Sequence, residues 1–404
     1  MLAAVAVAML TSAAACDAAG DGLGASGFAG ESSDAVDSPE SDDGSSASTN
    51  ASTPSTTDDP SGADPSTDPT DGLSSATAPG DATEGDASTS GDEADSGAAG
   101  ETGDTDTDTD TDTDGEIPAL PSPGCGVTDL SPGTLLGVPL EVGNRTRVFN
   151  VVVPDGHDGD TPVPVVLAFH GWSLNPVTMA TMSSLSTTAQ EHDFVVAYAQ
   201  GVGNSWNAGS CCGVAFNQQV DDIEFVRALI DNIGENLCVD LARVYATGFS
   251  NGGMLSHRLA CEASDVIAAI APVAGVVMIE GPDCTPTRPM PIMHFHGTAD
   301  TSVAYEGNGM VDHVSVPTST AGWVDRNGCD PEPQITFAQD DTTCQTWSNC
   351  GGQDAVVTLC SIEGMGHCWP GDPMCIGGNG DGGSSTTLPA GEAMATFFAG
   401  YAVP

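Results

Sequence analysis

The chain has 404 residues, with 57 acidic side chains against seven basic ones and a formal net charge of −50. All seven bases are Arg and all lie after residue 140, so the sequence supplies no basic surface for nucleic acid or an anionic membrane. Twenty-six of the acids fall before residue 116, in a stretch of Ser, Thr, Asp, Gly, Ala and Pro with one Phe and no Trp or Tyr. Such a segment buries too little apolar surface to offset the entropy of ordering its backbone.

Taken from the start, residues 1–15 (MLAAVAVAMLTSAAA) form an apolar run that ends in small residues before Cys16. This pattern predicts a secretion signal over residues 1–16, of the lipoprotein type, with a lipid anchor on Cys16. No Lys or Arg opens it, and ordinary cleavage after Ala15 is the alternative. The run is too short to span a membrane, so no transmembrane span is expected in the mature protein. Residues 17–116 are predicted to be a disordered acidic tether. Its last part, residues 105–112, alternates Thr and Asp. Like charges at every second residue repel and extend the chain, which suits a solvated spacer better than a calcium loop.

Residues 117–404 are long enough for one large core. Twelve of the 13 Cys lie here, an even and dense set that reads as a disulfide framework of up to six bridges. No C-x-x-C pair with zinc spacing occurs, so no metal is expected. The adjacent Cys211 and Cys212 are expected to pair with separate partners. Apolar runs predict strands at 147–153, 164–169, 194–198, 243–247, 266–273, 290–295 and 355–362. Helices are predicted at 176–191, 221–237, 251–263, 316–326 and 390–401. The second is the clearest: Ile223, Val226, Ile230 and Ile233 recur at helical spacing behind Asp221 and Asp222. A long loop over 201–219 separates the third strand from that helix. Strands alternating with helices predict an α/β domain, a mostly parallel sheet covered on both faces.

One motif carries chemistry. Gly248-Phe249-Ser250-Asn251-Gly252 lies between a predicted strand and a predicted helix, the strand–turn–helix setting of a nucleophile elbow in an α/β-hydrolase fold. The sharp turn presents Ser250 at a helix N-terminus, where the N–H of Asn251 faces a developing oxyanion. Ser needs a base to take its proton, and in this fold the acid and then the base follow it along the chain. His367, in the Gly- and Pro-rich stretch GMGHCWPG after the last strand, fits the base. His257 lies in the nucleophile's own helix, and His294 and His296 precede the acid. Asp300, at the end of PIMHFHGTAD, fits the acid that orients the imidazole. The second oxyanion donor is expected from the loop FHGWS, as the N–H of Trp172, with Ser173 as the alternative. Trp206, His170 and Trp369 are expected to touch substrate. The pair His294-x-His296 has no third ligand and reads as structural. No cofactor is expected.

The elbow GFSNGG, the loop FHGWS, the strand end FHGTAD, the loop GMGHCWPG and the stretches WNAGSCCG and VDDIEFVRALI occur in one order. Together they resemble the extracellular poly(3-hydroxybutyrate) depolymerase-like esterases of carbohydrate esterase family one, which includes feruloyl and acetyl xylan esterases. The resemblance covers roughly residues 125–404. It implies an α/β-hydrolase fold, a Ser250–Asp300–His367 triad, and a secreted or surface-tethered hydrolase of neutral esters on polysaccharide or polyester. The chain has no separate polymer-binding segment, which favours a feruloyl or acetyl ester of xylan over poly(3-hydroxybutyrate). The reading of another class is a surface binding protein on an inactive hydrolase scaffold. Related feruloyl esterases of another type join a Cys before the Ser to a Cys after the His. Phe249 stands before Ser250 here, so Cys368 needs a different partner.

Overall fold

A computed structural model describes residues 118–127, 132–279, 281–309, 312–352, 354–376 and 382–404. The expected signal, Cys16 and the tether all lie outside the described residues. Ten strands form one sheet: β1 Gly133–Val142, β2 Arg145–Val153, β3 Val163–Phe169, β4 Val195–Ala199, β5 Val239–Phe249, β6 Ala269–Val273, β7 Ile292–Gly297, β8 Gln334–Gln339, β9 Thr342–Trp347 and β10 Val357–Ile362. Their spatial order is β1-β2-β4-β3-β5-β6-β7-β10-β9-β8. The six central strands from β4 to β10 run parallel, and an antiparallel pair extends the sheet at each end. This is the expected α/β sheet, with chain order reversing at β4-β3, as in α/β-hydrolases.

The helices are α1 Pro176–Ser183, α2 Leu185–Glu191, α3 Gly213–Asn217, α4 Asp222–Asn236, α5 Asn251–Glu262, α6 Val316–Asn327 and α7 Ala390–Phe398. Alternation along the central strands divides the core in two. Val165, Leu167 and Phe169 face Phe225, Val226 and Leu229 of α4, Leu255 of α5 and Trp323 of α6. Val166 and Ala168 face Met179 of α1, Leu185 of α2 and Met394 and Phe398 of α7. Period-two strands buried on both faces explain why these runs read as continuously apolar.

Three elements differ from expectation. The single helix expected over 176–191 is two, broken at Ser184, which takes a left-handed φ of 53°. The loop over 201–219 holds the short helix α3. The edge strands β1 and β8, and β9 next to β8, were not expected. Their burial patterns are largely exposed or intermediate, so they lack the apolar run that marks a central strand.

All twelve Cys of the domain are paired: Cys125–Cys238, Cys211–Cys212, Cys261–Cys284, Cys329–Cys350, Cys344–Cys360 and Cys368–Cys375. This corrects the expectation for Cys211 and Cys212. The other ten thiols satisfy one another across nearby loops and strands, which leaves these two as each other's partner. Six bridges in one domain belong to an oxidising compartment. Among the described residues no helix is long and apolar enough to cross a membrane.

Candidate active site

The site is built at the carboxyl ends of β3, β5, β7 and β10. β5 ends at Phe249 and α5 begins at Asn251, so Ser250 makes the whole turn, with φ 53° and ψ −119°. That conformation is costly for a residue with a Cβ and persists only where the surroundings over-determine it. Here the surroundings are two glycines. A Cβ on Gly252 would run into the carbonyl of Phe169 on β3, and one on Gly248 into the backbone of Gly252. The close passage of α5 over β3 and β5 therefore depends on their having no side chain. The Ser250 N–H donates to Val273 O at 2.9 Å, fixing the turn to β6.

Asp300 lies three residues beyond β7 and His367 five beyond β10, on neighbouring parallel strands. Backbone bonds join their loops: Thr298 N–H donates to Ile362 O at 2.9 Å and Ala299 N–H to Met365 O at 3.0 Å. His367 Nδ1 lies 2.7 Å from Asp300 Oδ2, and both side chains are buried. Asp300 Oδ1 accepts the N–H of Ser302 at 2.8 Å and of Val303 at 2.9 Å. Burial alone would raise the pKa of Asp300. Hydrogen bonds from His296 and His367 outweigh it and hold the carboxyl well below its ordinary range. With Nδ1 engaged by a carboxylate, Nε2 is the nitrogen of His367 left to act as a base. The His367 ring packs on Phe249, the neighbour of Ser250, with centroids 4.7 Å apart. Among the described residues Ser250 and His367 make no hydrogen bond to each other. Without substrate such bonds are often long and tighten only in the complex.

The two oxyanion candidates come from the loop after β3 and from the start of α5. Asn251 opens α5, in the turn whose N–H groups have no partner inside the helix. In the β3 loop the Ser173 N–H donates to Asn204 O at 2.8 Å and the Leu174 N–H to Gly171 O at 3.1 Å. Ser173, the alternative donor, is thus engaged, while Trp172 N–H has no partner among the described residues. The Trp172 side chain is 48% exposed, which makes it the open aromatic of this loop.

The three expected substrate contacts need correction. Trp206 is fully buried: its Nε1–H donates to His170 O at 2.8 Å, and its ring meets Phe169 and Phe225. His170 is fully buried too. Its Nε2 accepts the Gly201 N–H at 3.0 Å, so Nδ1 carries the proton and donates to Gly171 O at 2.8 Å. Burial pushes its pKa down to about 4. Trp369 is 1% exposed, within the apolar layer beneath α7. None of the three offers a free face to a ligand. All three lie in loops beyond a strand, and such positions look the same in sequence whether the ring turns in or out.

Two contributors were not legible as such. The sequence places Asp222 only as an acid at a helix N-terminus. It is fully buried, pairs with Arg147 of β2 at 2.8 Å, and accepts the Asn207 N–H at 2.8 Å. Burial raises the carboxyl's pKa, while Arg147 and the Asn207 N–H oppose the rise. From Asn207 the chain passes to Trp206, whose N–H donates to Asn251 Oδ1 at 2.7 Å while Asn251 Nδ2 donates to Trp206 O at 3.1 Å. A buried ion pair thus anchors the loop that clamps the residue after Ser250. The signal was Arg147 itself, a charge in an otherwise apolar strand that calls for a partner. The second contributor is His296, 3.3 Å from Asp300 Oδ2. Its spacing of four from the acid was the clue. Among the described residues no group of three His, Cys, Asp or Glu is placed to hold a metal.

Feruloyl esterase B of Piromyces equi is 34% identical over 235 residues, 55% of this chain and 42% of that protein. The putative esterase NocK of Nocardia uniformis subsp. tsuyamanensis is 30% identical over 255 residues, 57% of this chain and 72% of its own. The chain belongs to the feruloyl and acetylxylan esterase family. The bifunctional acetylxylan esterase/xylanase XynS20E of Neocallimastix patriciarum is 26% identical over 244 residues, 56% of this chain and 34% of that protein. The chain thus spans less than half the length of two of these three esterases. No family model matches it.

Proposed function

We propose that the protein is a serine carboxylic ester hydrolase acting on feruloyl or acetyl esters of plant polysaccharide. The observation that carries this reading is the 2.7 Å contact of His367 Nδ1 with Asp300 Oδ2, beside a Ser held on a strained elbow at a helix N-terminus. His367 Nε2 takes the Ser250 proton as Oγ attacks the ester carbonyl. The N–H groups of Asn251 and Trp172 hold the oxyanion. His367 then gives the proton to the leaving alcohol, and water, activated by the same nitrogen, releases the acid from Ser250. The feruloyl and acetylxylan activities named for the family support the acyl groups. The half-exposed Trp172 beside the elbow suits an aromatic acid or a sugar ring.

Secretion suits six disulfides. Attachment to the cell surface through Cys16 and an acidic tether of about 100 residues is the localisation we propose, on the sequence pattern before Cys16. Retention of a Cys16→Ser variant on cells, as for the parent, would count against it.

The test is release of ferulate from feruloylated arabinoxylan fragments and of acetate from acetylated xylan, with hydroxybutyrate release from amorphous polyester alongside. Ser250→Ala is expected to lower kcat by about 10⁴- to 10⁶-fold and to abolish labelling by a fluorophosphonate. Hydroxybutyrate release alone would overturn the polysaccharide assignment. Failure of the parent to label would revive the inactive scaffold.

A further inference from the structure

A row of buried histidines stands behind the acid, on β7 and α5. His257 Nδ1 accepts the Trp323 Nε1–H at 3.0 Å, and His257 Nε2 donates to Gly275 O at 3.2 Å. His294 Nε2 lies 3.1 Å from His296 Nδ1. His296 Nε2 lies 2.7 Å from Val303 O and 3.3 Å from Asp300 Oδ2. His257, His294 and His296 are all 2% exposed or less.

A carbonyl oxygen only accepts, so the contact with Val303 O puts a proton on His296 Nε2 whatever the state of the other nitrogen. That N–H is shared between Val303 O and the carboxylate that faces His367. Val303 also gives its own N–H to Asp300 Oδ1, at 2.9 Å. His296 therefore touches the acid twice: through Oδ2, and through the carbonyl of the turn that grips Oδ1. Tyr305 packs edge-on to the His296 ring, with centroids 6.0 Å apart, and its hydroxyl meets Ser361 Oγ of β10 at 2.6 Å. The ring is boxed between β7, β10 and the 300–305 turn, so it cannot leave Asp300 without opening the core.

We propose that His296, in its Nε2–H form, is a positioning residue for acyl transfer: it holds the Asp300 carboxylate in the orientation that His367 Nδ1 requires. This rests on the triad reading above. His296 does not touch the reacting atoms. It acts through Asp300, so its loss is felt in turnover and not in substrate binding.

The experiment uses the full chain, folded with its disulfides, and p-nitrophenyl acetate as substrate. His296→Met removes the donor. His296→Gln keeps an N–H for Val303 O and Asp300. Removing a hydrogen bond to a charged group is expected to lower kcat roughly 10-fold in His296→Met with KM unchanged, while His296→Gln keeps most of the parent's kcat. A folded His296→Met with the parent's kcat overturns the proposal, and so does a His296→Gln that falls as far as His296→Met. Should His296→Met not fold, long-range ¹H–¹⁵N correlations on the unmodified protein carry the test. They are expected to show His296 protonated at Nε2, and an Nε2 without a proton overturns the assignment. Fluorophosphonate labelling of Ser250, measured on the same sample, separates this outcome from failure of the triad: a protein that does not label fails on the first reading, whatever the tautomer.

Discussion

The two halves of the site are held by different means. The nucleophile half, β3 and β5 with the 200–215 loop, is fixed by buried polar contacts: Arg147 to Asp222, Asp222 to Asn207, Trp206 to Asn251, and His170 between Gly171 and Gly201. The acid–base half, β7 and β10 with their loops, has the His296 contact with Asp300 and adds backbone bonds between the loops and covalent bridges. Cys344–Cys360 joins β9 to β10, and Cys368–Cys375 closes the loop directly after His367. The nucleophile half positions one residue whose geometry is already set by its own turn. The acid–base half must bring together two residues 67 positions apart, and a crosslink limits how far the His367 loop can stray in the unfolded chain.

Three measurements sharpen this contrast. The largest expected effect is in the nucleophile half. Arg147→Ala leaves Asp222 buried and unpaired, and should destabilise the domain by about 3–5 kcal/mol in urea unfolding. A loss under about 1 kcal/mol would mean that the carboxylate is not desolvated as described. The second effect is pH dependence. His170 is neutral in the folded state, with a pKa pushed down to about 4 from 6.5 by burial. Between those values the unfolded chain takes up a proton that the folded chain refuses. Stability is therefore full above about pH 6.5 and falls towards pH 4, by on the order of 3 kcal/mol for this one group. His257, pushed down to about 3 by burial, bends the curve the same way. A stability that stays flat from pH 7 to 4.5 would contradict both assignments. The smallest effect is in the acid–base half. Cys368→Ser with Cys375→Ser opens a loop with a sequence separation of 7, and loop-closure entropy sets its cost at about 2–3 kcal/mol. Turnover should drop while fluorophosphonate still reaches Ser250. Equal loss of turnover on opening Cys125–Cys238, which joins the N-terminal segment to the start of β5, would show that the bridges act on global stability alone.

The strands and helices around the site were legible wherever a local pattern imposed them. β3 and β4 are apolar on both faces, and α4 carries its apolar residues at helical spacing behind an N-cap at Asp221, which accepts the Glu224 N–H at 2.8 Å. The missed strands β1, β8 and β9 lie outside the parallel centre of the sheet, where largely exposed or intermediate side chains leave no comparable signature.

By itself the sequence determined the tight turn at Ser250, the acidic character and the even set of cysteines. Each of these is a property of spacing or composition. Gly248 and Gly252 flank Ser250 because the turn has no room for a side chain on either, and that constraint is written in five consecutive residues. What only the tertiary structure decided is which way each polar or aromatic side chain faces. Trp206 and Trp369 turned inward, Trp172 outward, Asp222 into an ion pair, His296 onto the acid, and Cys211 onto Cys212. Burial and pairing depend on neighbours distant in the chain, and the same residue carries the same local pattern whether its partner is water or Arg147.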